Sequence, residues 1–244
     1  MTRLAAGIAA VLMAASSAYA ADLGNGLPPT LSSPPQYNWS GCYLGGNGGL
    51  GAGHTQWQDP LPNGNIDAAG LGQSATTDMS GGIVGGQIGC DLQLGDWVAG
   101  IAGSFDGSDI AGTAMDEFNT SWALRSHLKW FGTVTGRLGY AVNNVLLYGK
   151  AGGVFANTEF DAINTSVVLG APSPTLTGWT AGAGVEWAVS PNWSVFAEAG
   201  YYGFSNVSQT FNAAPASIAA PPVISVKPSF ETAMIGINYR FGGN

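Results

Sequence analysis

The sequence predicts an all-β chain that closes into an eight-stranded, antiparallel, up-and-down transmembrane β-barrel. Three observations carry the prediction. Charged residues make up 9% of the 244, whereas hydrophobic residues make up 45% and aromatic residues 11%; a soluble domain carries about 25% charge. Eight alternating segments are joined by connections that are in turn short and long. Aromatic residues stand at both ends of the apolar face of those segments.

The amino terminus reads as a leader. Arg3 precedes an apolar run over 4–15 and the small-x-small triplet Ala18-Tyr19-Ala20, the pattern of a secretory signal peptide, here 1–20. The run is too short to span a bilayer as a helix. Residues 21–38 carry Pro28, Pro29, Pro34 and Pro35 without apolar periodicity and read as a periplasmic linker. Residues 39–244 read as the barrel. Without the leader the chain has six basic and fifteen acidic residues, a formal charge of −9. That balance excludes a nucleic-acid partner, which requires a basic footprint.

The strands are expected at 39–51, 82–94, 97–106, 123–141, 144–156, 177–189, 192–204 and 229–241. Gly95-Asp96, Asn143-Asn144 and Ser190-Pro191-Asn192 are turn formers and give three short connections. The stretches 52–81, 107–122, 157–176 and 205–228 are expected as long loops. An even strand count with short turns on one side and long loops on the other is the pattern of a bacterial outer-membrane barrel, with both termini on the periplasmic side.

Each segment alternates an apolar face with a small or polar one. In the seventh, Trp193, Val195, Ala197, Ala199 and Tyr201 oppose Ser194, Phe196, Glu198, Gly200 and Tyr202. The apolar faces carry the pairs Trp97 and Phe105, Trp130 and Tyr140, Trp179 and Trp187, Trp193 and Tyr201, which enclose 9, 11, 9 and 9 residues counting both ends. A tilted strand crosses the hydrocarbon in about 9–11 residues, so each pair fits two aromatic girdles. Closure follows from lipid, which leaves no partner for an unpaired sheet edge.

The opposite parity places Asp91, Arg125, Lys129, Arg137, Lys150, Glu186, Glu198 and Arg240 in the lumen. Charges there must be paired or hydrated, which predicts an internal ion-pair network. It either fills and stiffens the barrel or lines a narrow conducting path. Most of the remaining acids (Asp59, Asp67, Asp78, Asp109, Asp116, Glu117, Glu159 and Asp161) lie in the long loops or at their edges and read as a solvated surface. Cys42 and Cys90 share lipid-face parity near the turn end of adjacent strands. They read as one disulfide or as two free, lipid-facing thiols.

No catalytic array emerges. Ser126 and His127 are adjacent and point to opposite faces of a strand. His54 and the two cysteines do not complete a zinc pattern, and Gly81-Gly82 to Gly85-Gly86 lacks the Gly-Lys-Ser/Thr and helix of a phosphate loop. No cofactor is implied.

The blocks WSGCYLGGNGGLGAG at 39–53, GGIVGGQIGCDLQLGDWVAGIAG at 81–103, WFGTVTGRLGYAVNNVLLYGKAGGVFA at 130–156, GWTAGAGVEWAVSPNWSVFAEAGYY at 178–202 and GINYRFG at 236–242 resemble the small outer-membrane immunogenic proteins. These form a porin-like family with an eight-stranded barrel similar to the membrane domain of OmpA. The resemblance implies residence in the outer membrane among lipid and lipopolysaccharide. It also implies a closing strand, Ile235, Ile237, Tyr239, Phe241, similar to the signal read by the barrel-assembly machinery. The family usually has an aromatic where Cys42 and Cys90 stand, and their joint replacement favours a bridge. It often carries acids at Ala102 and Ser104 and bases at Phe196 and Met234, so this lumen holds fewer charges than the family implies. The expected role is a non-enzymatic, monomeric envelope and surface-antigen protein. The alternatives are a narrow passive pore or an adhesin or receptor acting through the loop at 205–228.

Overall fold

The computed structural model describes residues 37–58, 74–115, 122–164, 167–170, 175–210 and 223–241, all within one unit spanning 35–244. The leader, nearly all of the linker, and Asp59, Asp67, Asp116 and Glu117 lie outside the described residues. Among the described residues ten strands occur in chain order: β1 (Gly41–Gln58), β2 (Ser74–Leu94), β3 (Trp97–Met115), β4 (Trp122–Val142), β5 (Val145–Asn164), β6 (Val167–Gly170), β7 (Thr175–Ala188), β8 (Trp193–Phe204), β9 (Val207–Thr210) and β10 (Val223–Phe241). Eight are barrel staves, each antiparallel to the next, and β10 returns to pair with β1 and closes the sheet. The short strands β6 and β9 extend the loop ends of β5 and β10.

Register fixes the tilt. A path across the pairs from Tyr43 passes Gly89, Ala102, Thr135, Gly152, Thr180, Tyr202 and Phe230 and re-enters β1 at Gly53, ten residues beyond its start. Such a stagger requires strands tilted by about 35–45°. The hairpins turn at Gly95, with φ +64°, and Asn143, with φ +53°, a left-handed conformation that Gly takes freely and Asn tolerates.

Most staves are longer than expected. Much of 52–81, 107–122 and 157–176 is strand, which puts Asp78, Asp109, Glu159 and Asp161 on the barrel wall. Beyond the bilayer both faces of a strand meet water, so the alternation that marks a strand fades although the ladder continues. At the other end β1 begins at Gly41 rather than 39. Trp39 leaves the wall and turns under the bore, where it is fully buried with Val98, Ala141, Leu146 and Ala188.

The outer face is apolar, with Val84, Ile88, Ile101, Val134, Leu138, Ile235 and others exposed. Aromatic contacts fall into two belts. At the turn end Trp97 meets Tyr140 at 5.4 Å between ring centroids and Trp193 meets Tyr239 at 5.0 Å, with Trp187 exposed beside them. At the loop end Phe105 stacks on Trp130 at 5.3 Å, Trp130 meets Phe155, and Trp179 meets Tyr201 at 5.3 Å.

Two sequence-based placements are corrected. Arg125 and Lys129 do not face the lumen. At Lys129 the β4–β5 ladder skips one residue and the β3–β4 ladder shifts between Gly107 and Ile110. This bulge reverses the facing of β4 above it: Ser126 and Leu128 turn inward, while Arg125 and Lys129 are exposed. A one-residue slip exchanges the two faces of a strand. His127, in phase with Arg125 and Lys129, is likewise no part of the inner row. Gly136 faces open space on the outer wall.

Candidate functional site

The site is the bore, which is built in tiers. At the turn end Arg137 of β4 bridges two acids. Its Nε and Nη2 donate to Asp91 Oδ1 and Oδ2 at 2.8 and 2.7 Å, and Nη1 donates to Glu186 Oε2 at 3.0 Å. Arg240 of β10 donates to Asp91 Oδ2 at 2.9 Å and to the Trp39 carbonyl at 2.5 Å, and its other terminal nitrogen lies 3.7 Å from Glu186 Oε1. Ser194 and Asn238 donate to the same Glu186 oxygen at 2.6 and 2.9 Å, and Gln87 donates to Asn238 Oδ1 at 2.8 Å. Both guanidinium groups also sit over rings: Arg137 over Tyr43 and Tyr148, Arg240 over Tyr43 and Trp39, at 4.9–5.4 Å. All four charged side chains are at most 4% exposed. A dry quartet of two cations and two anions satisfies the rule that buried charge be paired.

Room for the quartet comes from inward glycine. A Cβ on Gly100 would strike the Asp91 carboxylate, so the facing strand must be bare there. Beneath the quartet Trp39 N–H donates to Gln93 Oε1 at 2.7 Å and the Tyr37 hydroxyl donates to the Pro191 carbonyl at 3.0 Å. Burial pushes the Tyr37 phenol above its ordinary range, against the opposing pull of the Arg240 cation.

Above the quartet Lys150 Nζ pairs with Glu198 Oε1 at 2.5 Å, and the Tyr148 hydroxyl donates to Glu198 Oε2 at 3.0 Å. Asp106 of β3 is fully buried at this side of the bore, lying over Gly85, where a Cβ would meet its carboxylate. Higher still the bore becomes aromatic. Tyr202 stacks on Phe230 at 4.4 Å, Phe131 meets both at 5.2 and 5.3 Å, and Phe204 stacks on Phe230 at 5.8 Å, with Ile110 and Leu128 buried beside them.

Of the eight residues assigned to the lumen, six lie in it: Asp91, Arg137, Lys150, Glu186, Glu198 and Arg240. Arg125 and Lys129 do not, and Lys129 pairs outside with Glu159. The sequence puts Tyr202 on the inward face, but Asp106, Tyr43, Tyr148, Phe131 and Phe230 were passed over. Their signal was parity alone, since Asp106 continues the inward series of Val98, Gly100, Ala102 and Ser104, and Phe131 that of Thr133 and Thr135. Cys42 and Cys90 stand opposite each other in the β1–β2 ladder and are joined by a disulfide with S–S 2.06 Å. Among the described residues no set of three His, Cys, Asp or Glu side chains is placed to hold a metal ion.

Comparison with known proteins agrees with this architecture. The family model for the outer membrane protein beta-barrel domain matches residues 6–241. A 31 kDa outer-membrane immunogenic protein of Brucella melitensis is 30% identical over 241 residues, covering 94% of this chain and 95% of the relative. A 22 kDa outer membrane protein of Rhizobium leguminosarum bv. viciae is 29% identical over 65% of this chain and 61% of its own length. Among solved structures the outer membrane protein OprG of Pseudomonas aeruginosa aligns with TM-score 0.50 at 14% identity, covering 84% of this chain and 98% of its own, and so shares the fold. The chain therefore belongs to the outer membrane protein beta-barrel domain family and is an integral β-barrel protein of the outer membrane.

Proposed function

We propose that this protein is a non-enzymatic, non-conducting barrel that contributes outer-membrane integrity and presents its loops as a surface antigen. The observation that carries the reading is the filled bore. Trp39 and the Arg137–Asp91–Arg240–Glu186 quartet occupy its turn end, and the Phe131–Tyr202–Phe230 cluster occupies its loop half. Eight strands leave a lumen that side chains can fill. The charged groups of the quartet and the Lys150–Glu198 pair are neutralised by one another inside the bore. The immunogenic relatives support the antigen role.

In this reading the leader is removed after Ala20 and the short turns and both termini face the periplasm. The loops meet lipopolysaccharide, and the assembly machinery reads the strand ending in Tyr239 and Phe241. The mature chain acts as a monomer. Planar-bilayer recording of the refolded protein tests the central claim. Silence at high protein load is expected, and steady, resolvable channel events at neutral pH overturn it in favour of a passive pore.

A further inference from the structure

A recess of about 220 Å³ opens on the outer wall at the loop end. We propose that His54, Gln56, Trp179, Tyr201, Lys227 and Ser229 form a binding site for the phosphorylated sugar headgroup of an outer-leaflet glycolipid. The proposal rests on the orientation given above, with the loops outside.

The ladder builds the recess. Trp179 of β7, Gly203 of β8, Ser229 of β10 and His54 of β1 are successive cross-strand partners, and Gln56 stands opposite Lys227 one step nearer the loops. His54, Gln56, Trp179, Tyr201 and Lys227 are all exposed on the outer face. Gly203 forms the floor: a Cβ there would press to 3.0 Å on the Trp179 indole, so a larger residue would fill the hollow.

Function follows from height. Trp179 and Tyr201, 5.3 Å apart, belong to the loop-end aromatic belt, the level of a bilayer's headgroups. Their rings offer an apolar platform for a pyranose face, and the polar groups stand on the loopward rim. Ser229 Oγ and His54 Nε2 are 3.2 Å apart and hydrogen-bonded, which orients the imidazole. Lys227 supplies a full positive charge. Basic groups at this depth recognise phosphorylated headgroups, and few polar groups around an aromatic wall are the usual make-up of a ligand site. Exposed Glu231, opposite Tyr201, and Asp78, opposite His54, flank the site as acceptors for sugar hydroxyls and amides.

The test is native mass spectrometry of the refolded full chain in detergent with diphosphorylated lipid A, dephosphorylated lipid A or phosphatidylcholine. Wild type retains the diphosphorylated lipid in preference to the other two. Lys227→Ala weakens retention about fivefold, one surface cation's contribution of about 1 kcal/mol. Trp179→Ala lowers retention of both forms of lipid A alike. Heat-modifiable gel mobility certifies that each variant is folded. Equal retention by wild type and Lys227→Ala, or indifference to the lipid's phosphates, overturns the proposal. So does displacement by inorganic phosphate alone, which marks a free-phosphate site. Labelling of a tag within 211–222 on intact cells tests orientation separately. A hidden tag with normal lipid retention overturns the topology, whereas an exposed tag with no retention overturns the site.

Discussion

The two halves of the bore are filled by different chemistry. The turn half is ionic, with two guanidiniums, two carboxylates and their hydrogen-bonding neighbours, dry and mutually neutralised. The loop half is aromatic, with rings in stacked and edge contact and no charge among them. Both exclude water, but they fail differently. An ionic tier that loses one member keeps the others as unpaired buried charges, whereas an aromatic tier that loses a ring keeps only a hole. The largest expected effect is therefore Arg137→Met. It strands Asp91 and Glu186 against the single remaining cation Arg240, at a cost of about 3–5 kcal/mol. Urea unfolding in micelles, followed by tryptophan emission, measures it. A loss below about 1 kcal/mol would mean that the tier is hydrated, and the contrast between the halves would collapse.

The turn half is also braced covalently. Cys42 lies between Cys90 of β2 and Phe241 of β10, beside the seam that closes the barrel. The bridge links residues 48 apart, and a loop of that size gains about 4 kcal/mol in the chain-entropy treatment, an upper figure if the unfolded chain keeps structure. Cys42→Ser with Cys90→Ser, compared with wild type under non-reducing conditions, is expected to lower stability by about 2–4 kcal/mol. No change in the urea midpoint would show that the seam holds without the staple.

Phe230→Ala ranks next. Phe230 touches Phe131, Tyr202 and Phe204, so its removal forfeits stacking and opens a cavity, for about 3 kcal/mol. Bilayers containing the variant should stay silent, because the quartet still blocks the turn half. Channels in this single variant would place the whole seal in the aromatic tier.

These tiers differ in how far sequence exposes them. The quartet was legible because lumen parity holds without interruption across Asp91, Arg137, Glu186 and Arg240, and lipid enforces that parity by rejecting charge from the other face. The belts were legible for the same reason. The aromatic tier was obscured because Phe131 and Phe230 are as apolar as any lipid-facing residue, and only their phase in the strand separates them. Arg125 and Lys129 were misplaced because a bulge leaves no compositional mark: β4 reads as one alternating strand, yet its facing reverses at Lys129. Trp39 was placed in the wall because the first strand was expected to start at 39, where an aromatic leads straight into the alternating segment. What decides is the end of the β1 ladder at Gly41, a matter of register across two neighbours.

The bulge offers the finest test, since it makes opposite predictions for two lysines of similar sequence parity. Lys150 lies inside on Glu198, with side chains 11% and 3% exposed. Lys129 pairs with Glu159 outside, with side chains 45% and 36% exposed. Solvent screens the outer pair, so Lys129→Ala is expected to cost no more than about 0.5 kcal/mol, a loss that salt should erase. Lys150→Ala leaves Glu198 buried with only the Tyr148 hydroxyl, and its larger loss should persist in salt because dry pairs are poorly screened. If the two variants lose equal stability with equal salt response, the reversal of β4 at Lys129 does not occur, and Arg125 and Lys129 return to the lumen.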